Sequence, residues 1–170
     1  MLSLKNSMCA VLLLCSLETH AQQASTLNWY SDVMKANEVS QTSGKPIFAF
    51  FTGSDWCPWC KKIQQDVFSK HDFIKWAQEH VVLLEVDFPR NKDQSQELEN
   101  QNRFLQQAFQ VQGFPTVVLF FLTKKPGDSK YTLESLGTLG YPGSTEKGRE
   151  EIKFIEEANF ILNKNRTQAK

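Results

Sequence analysis

At 170 residues the chain has the length of one ordinary domain, large enough for a core that stabilises a fold unaided. Lysine plus arginine number 19 and aspartate plus glutamate 19, so the formal charge is zero and no long run of either sign occurs. That balance argues against nucleic acid or an anionic membrane surface as the main partner.

The N-terminus differs from the rest. Lys5 precedes an apolar run over residues 8–17, which ends at Glu18-Thr19-His20-Ala21. This is the layout of a secretory signal, with cleavage expected after Ala21. The run is about half the length a bilayer-spanning helix needs, so release is expected rather than a permanent anchor. Leu14 is also bulky where a lipid-modified cysteine at Cys15 would want a small residue. The expected organisation is a cleaved signal over residues 1–21 and one domain over residues 22–170. Cys9 and Cys15 leave with the signal, and the mature chain keeps Cys57 and Cys60. A single close pair in an exported chain is not a disulfide-stapled scaffold.

From residue 32 onward, helical periods alternate with apolar runs of strand length. Residues 32–43 predict a short helix with Val33, Met34 and Val39 inward, ended by Gly44. Residues 46–52 predict a buried strand and residues 53–55 a turn. A helix then starts at Cys57, since Pro58 is tolerated in a first turn. Cys60, Ile63 and Val67 fall on its inward face. Ser69, with Asp72 three residues on, is expected to cap a further helix bearing Phe73, Ile74, Trp76 and Ala77.

Residues 81–87 predict a second buried strand, covered on both faces. Residues 88–100 form a polar connection into a helix with Leu98, Leu105, Ala108 and Phe109 as apolar positions. Gly113-Phe114-Pro115-Thr116 introduces a third strand over 117–122. Residues 124–129 are expected as a hairpin loop and 131–139 as the returning strand. Ser144 is expected to cap a last helix with Ile152, Ile155, Ala158 and Leu162 on one stripe. The order predicts an α/β fold, a central mixed sheet flanked by helices on both faces.

The chemistry centres on Trp56-Cys57-Pro58-Trp59-Cys60. Cysteines at i and i+3 of a first turn have β-carbons about 5–6 Å apart, within modest adjustment of the ~3.5–4.5 Å a disulfide needs. Cys57 sits where unpaired N–H groups and the helix dipole favour a thiolate, which makes it the attacking sulfur. Cys60, one turn in, is the resolving thiol. Lys61 and Lys62 read as a solvated face before they read as activators. A structural zinc needs about four ligands, and only His71 and His80 are left to help. Covalent haem needs histidine where Lys61 stands. A purely structural staple would close too small a loop to restrict the unfolded chain much. Redox use of the pair is the favoured reading.

Taken together, Asp55-Trp56-Cys57-Pro58-Trp59-Cys60-Lys61 and, further on, Val111-Gln112-Gly113-Phe114-Pro115-Thr116 resemble the thioredoxin superfamily. Residues 44–89 are similar to its exported bacterial members, which include the C-terminal domain of the transmembrane reductase DsbD and the small DsbH-type periplasmic reductases. The resemblance implies a thioredoxin-like fold and a periplasmic thiol-disulfide oxidoreductase, a reductase by preference, with a periplasmic oxidase or isomerase, or a non-catalytic binding or chaperone-like module, as the alternatives. It implies Cys57 as nucleophile, Cys60 as resolving thiol, Pro115 as a cis-proline beside the pair, and Phe114 offering its backbone to an extended substrate segment. Trp56, Pro58 and Trp59 would complete the substrate surface, Trp56 exposed and Trp59 either exposed or in the core. The implied partners are protein disulfides and a membrane electron donor of the DsbD type. The chain is expected to act as a monomer, without nucleic acid and with no cofactor beyond the redox-active Cys57–Cys60 disulfide.

One departure stands out. The family commonly buries an acid six positions before the first cysteine, here Phe51, and pairs it with a lysine on the next strand, aligned here with Leu83. Cys60 is therefore expected to lack a protein base and to lose its proton to water or to the leaving substrate thiolate.

Overall fold

The central strand is an apolar run, Ile-Phe-Ala-Phe-Phe, closed by Thr52, with all six residues buried. In the computed structural model, which describes residues 26–124, 127–143 and 146–168, this is β2 (Ile47–Thr52). The expected signal with Cys9 and Cys15, and the expected Ser144 cap, lie outside the described residues. The elements run β1 (Trp29–Tyr30), α1 (Val33–Ser43), β2, α2 (Pro58–Ile63), a π-helical turn (Gln64–Phe68), α3 (His71–His80) and β3 (Val82–Asp87). They continue through α4 (Gln96–Ala108), β4 (Thr116–Thr123), β5 (Thr132–Leu139) and α5 (Glu150–Gln168).

The sheet order is β1-β3-β2-β4-β5, with β1, β3 and β2 parallel and β4 and β5 antiparallel to their neighbours. This is the mixed sheet expected. Alternation along β2 sends Phe48 and Phe50 into one apolar layer and Ile47, Ala49 and Phe51 into the other. The first layer is closed by α2, α3 and α5, the second by α1 and α4. Among the described residues, no helix is long and apolar enough to cross a membrane.

Geometry corrects several local expectations. In α1 the inward stripe is Ala36, Asn37 and Ser40, at i+3, i+4 and i+7 from Val33, whereas Met34 and Val39 are exposed. Helical period decides there, not hydrophobicity. Ser69 does not cap α3; its hydroxyl donates to the Gln65 carbonyl. Lys70 stands at the cap position, and the first-turn N–H of Phe73 is taken by Glu151 Oε1 of α5 at 2.7 Å. Ser95 caps α4, which begins inside the expected connection. In that helix Leu105 and Asn102 are buried and Ala108 is exposed. The inward stripe of α5 is Phe154, Ala158 and Leu162, with Ile152 exposed. The two-residue strand β1 is too short to show a period.

Glu85 of β3 sits half-buried opposite Phe50. Burial pushes its carboxyl up, Asp87 adds to the rise, and Lys92 opposes it. A folded-state value above the unfolded one costs nothing while both states are protonated. It destabilises the fold as pH rises through the folded value. Glu85→Gln is therefore expected to raise the melting temperature at pH 8 by roughly one to two degrees, after allowance for partial exposure, and to leave it unchanged near pH 3. Calorimetry across that range checks it.

Candidate active site

Cys57 is the N-cap of α2: its φ and ψ, −86° and 105°, are extended, and Pro58 follows in the first helical position, exposed. The Cys57 N–H donates to the Gly53 carbonyl at 2.8 Å, which closes the turn before the helix. Cys57 and Cys60 are joined as a disulfide with Cα atoms 5.3 Å apart. The Cys60 N–H points at Cys57 Sγ, 3.2 Å away. When the bond is opened, that donor and the helix terminus favour negative charge on Cys57. Lys61 Nζ donates to the Asp55 carbonyl and Lys62 to Asp66, so both are bound to partners other than sulfur. His71 is exposed beside Asp72, and His80 stacks on Trp76.

The structure brings Cys57, Cys60, Trp56 and Phe114 into one apolar cluster. The Phe114–Pro115 peptide is cis. The Phe114 ring stacks on Phe88 at 5.2 Å and meets Trp56 at 6.0 Å. The two tryptophans differ in exposure, and Trp59, left open between surface and core by the sequence, is the more exposed of the two. Trp56 is half-buried; its Nε1 donates to the Phe88 carbonyl at 2.7 Å, and the Arg90 guanidinium lies 3.8 Å over its ring. Gly53 makes room for that ring, since a Cβ there would lie 2.4 Å from Trp56 Cε2. Trp59 is 56% exposed and is the aromatic face of the motif toward solvent.

The expected Phe51–Leu83 pairing does not exist. Phe51 faces Val86 in register, whereas Leu83 faces Phe48 and belongs to the layer on the other side of the sheet. Phe51, Val86 and the same-face Leu84 are all buried and apolar, so no acid–lysine pair stands at Phe51. Phe51→Asp would bury a charge among them, and would test stability more than proton transfer.

Sequence reasoning missed the network that fixes the site. Asp55 accepts from the Arg90 and Asn91 N–H groups, which holds its carboxyl below the usual range against desolvation. Asp87 accepts from the Ser54 N–H and hydroxyl at 2.8 and 2.6 Å. The polar stretch after β3 is thus stitched to the turn that carries the cysteines. Its Asp and Asn residues were the available signal, but their partners lie more than thirty positions away.

The profile of the thioredoxin-like domain family matches residues 33–124, more than half of the chain and inclusive of both motifs. The chain belongs to the thioredoxin-like family. It is 40% identical over 101 residues to the "Disulfide bond reductase DsbH" of Chlamydia pneumoniae, covering 59% of this chain and 60% of that one. It is 29% identical over 98 residues to the "Thioredoxin-related protein DsbJ" of the same organism, covering 58% of this chain and 28% of DsbJ. A solved structure titled "DsbH Oxidoreductase" superposes with a TM-score of 0.68 at 28% identity, covering 86% of this chain and 91% of that one. A thioredoxin from Thermus thermophilus, TM-score 0.56 at 18% identity, shares the thioredoxin-like fold. The match thus spans well under the full length of both curated relatives.

Proposed function

We propose that the chain is a thiol-disulfide oxidoreductase that reduces protein disulfides in the periplasm. The observation that carries the reading is the Cys57–Cys60 disulfide at the start of α2, where opening it leaves Cys57 facing the Cys60 N–H. Identity to a relative named as a disulfide bond reductase supports the direction. Export rests on the signal-like residues 1–21.

In the reduced chain, Cys57 thiolate attacks one sulfur of the substrate disulfide and expels the other as thiolate. Cys60 then attacks Cys57 Sγ and releases the second substrate sulfur. Two electrons pass to the substrate, and the chain is left with the Cys57–Cys60 bond. The proton of Cys60 goes to water or to the departing substrate thiolate, since the Phe51 position supplies no base. Phe114 lends its backbone to an extended substrate segment beside Pro115. A membrane donor of the DsbD type returns the electrons, and the chain acts as a monomer on protein substrates.

Equilibrium titration of the pair against glutathione tests this reading. A potential near −270 mV, roughly the thioredoxin value, is expected together with catalysed reduction of insulin by dithiothreitol. A potential near −120 mV, about that of a strong oxidant, would make the chain an oxidase instead.

A further inference from the structure

Each tryptophan of the motif is met by an aromatic ring from a distant loop: Trp56 by Phe114, Trp59 by Tyr141. Tyr141 lies just beyond β5, next to Gly140, where an added Cβ would sit 3.9 Å from the Pro115 carbonyl oxygen. Gly140 thus lies beside the Pro115 loop, while Tyr141 reaches α2 through Trp59 and Lys62. Its ring is half-buried against the cluster that holds both cysteines, and meets the Trp59 ring edge-on at 5.2 Å and 65°.

Two groups, Asp66 and Lys62, fix Tyr141. Its hydroxyl donates to Asp66 Oδ2 at 2.7 Å, Lys62 Nζ donates to the same oxygen at 2.6 Å, and that nitrogen lies 5.3 Å from the Tyr141 ring centre. Lys62, then Tyr141, hold the Asp66 carboxyl below its usual range, while burial and Asp66 raise the phenol. The phenol therefore keeps its proton and Asp66 its charge throughout the neutral range. Exposed ion pairs of this kind add little to stability. Their effect here is orientation: without Tyr141 no other ring meets the Trp59 indole among the described residues.

We propose that Tyr141 is a positioning and specificity residue of the exchange site: it holds Trp59 as an apolar wall that selects substrate segments carrying an aromatic or large aliphatic side chain beside the reacting cysteine. This rests on the reductase reading above. Offset and edge-on aromatic contacts supply the discrimination.

Two disulfide-linked peptides, identical in length and charge but with Trp or Ala next to the cysteine, test it with the purified protein and dithiothreitol. The wild type is expected to prefer the Trp peptide about fivefold in kcat/KM. In Tyr141→Ala the preference is expected to fall below about twofold, through KM for the Trp peptide, with the reduction potential unmoved. Tyr141→Phe, which keeps the ring and loses the Asp66 bond, is expected to fall between the two. Retention of the full preference in Tyr141→Ala overturns the inference, as does a parallel loss of kcat on both peptides with a shifted potential. A wild type that reduces both peptides equally overturns the inference alone; one that reduces neither overturns the reductase reading and the inference with it.

Discussion

Cys57→Ser is expected to abolish insulin reduction, by roughly a thousandfold or more, because the thiol that remains, Cys60, lies buried inside α2 rather than at its N-cap. Cys60→Ser is expected to lose turnover as well, but by a different route: Cys57 still attacks, and the protein accumulates as a mixed disulfide with its substrate. Mass spectrometry of the quenched reaction reads the adduct directly. Exposure does not produce this asymmetry, since Cys57 is 4% and Cys60 1% accessible in the disulfide. Position produces it. Cys57 precedes the first turn and takes the Cys60 N–H at its sulfur, whereas Cys60 lies inside the helix and packs with Ile63 and Val67. Adducts on Cys57→Ser and none on Cys60→Ser would reverse the roles; insulin reduction by Cys57→Ser at the wild-type rate would end the enzyme reading.

The redox motif was legible because its information is local: two cysteines, a proline at the first helical position and a Phe-Pro step need no tertiary context to be recognised. Strands β2 and β3 were legible for a similar reason, since runs buried on both faces are mostly apolar, with Glu85 and Asp87 only half-buried at the end of β3. What the sequence hid is relational. Phe51 and Leu83 were paired by alignment, yet a period of two places them on opposite faces of the sheet. Trp56 and Trp59 are chemically the same residue, and only the distant Phe88 carbonyl, Arg90 and Phe114 decide which one is pinned. The same holds for Asp66, whose partners Lys62 and Tyr141 come from one turn away and from beyond β5. The π-helical turn at Gln64–Phe68 adds a case in which periodicity itself misleads. The inward stripe of Cys60, Ile63 and Val67 leaves Phe68 out, yet in the π-helical turn Phe68 enters the core beside Val67.

Phe68 belongs to the aromatic cluster whose loss should cost the most stability. Phe48, at the centre of that cluster, is fully buried on β2 and meets the rings of Trp29, Phe68, Phe73, Trp76 and Phe154 at 5.7–6.4 Å. Those rings come from β1, the π-helical turn, α3 and α5, so one side chain of β2 meets another strand of the sheet and three elements packed on it. Phe48→Ala removes that side chain and leaves a cavity. Its walls cannot close easily: Trp76 is tied to Asn159 at 2.8 Å, and Phe68 and Phe73 are stacked on each other at 4.8 Å. Poor collapse places the cost at the upper end of the usual 3–5 kcal/mol for a buried Phe→Ala change, a large share of the roughly 5–15 kcal/mol that holds a domain together. Phe104→Ala on α4 is the control, since that ring is 61% exposed and its removal is expected to change stability by less than about 0.5 kcal/mol. Urea unfolding of the oxidised proteins measures both. Equal losses in the two variants would mean that the aromatic cluster does not organise this layer. A large loss in Phe48→Ala alone would show that the layer carrying the cysteines depends on that cluster, because Cys57 and Cys60 share it.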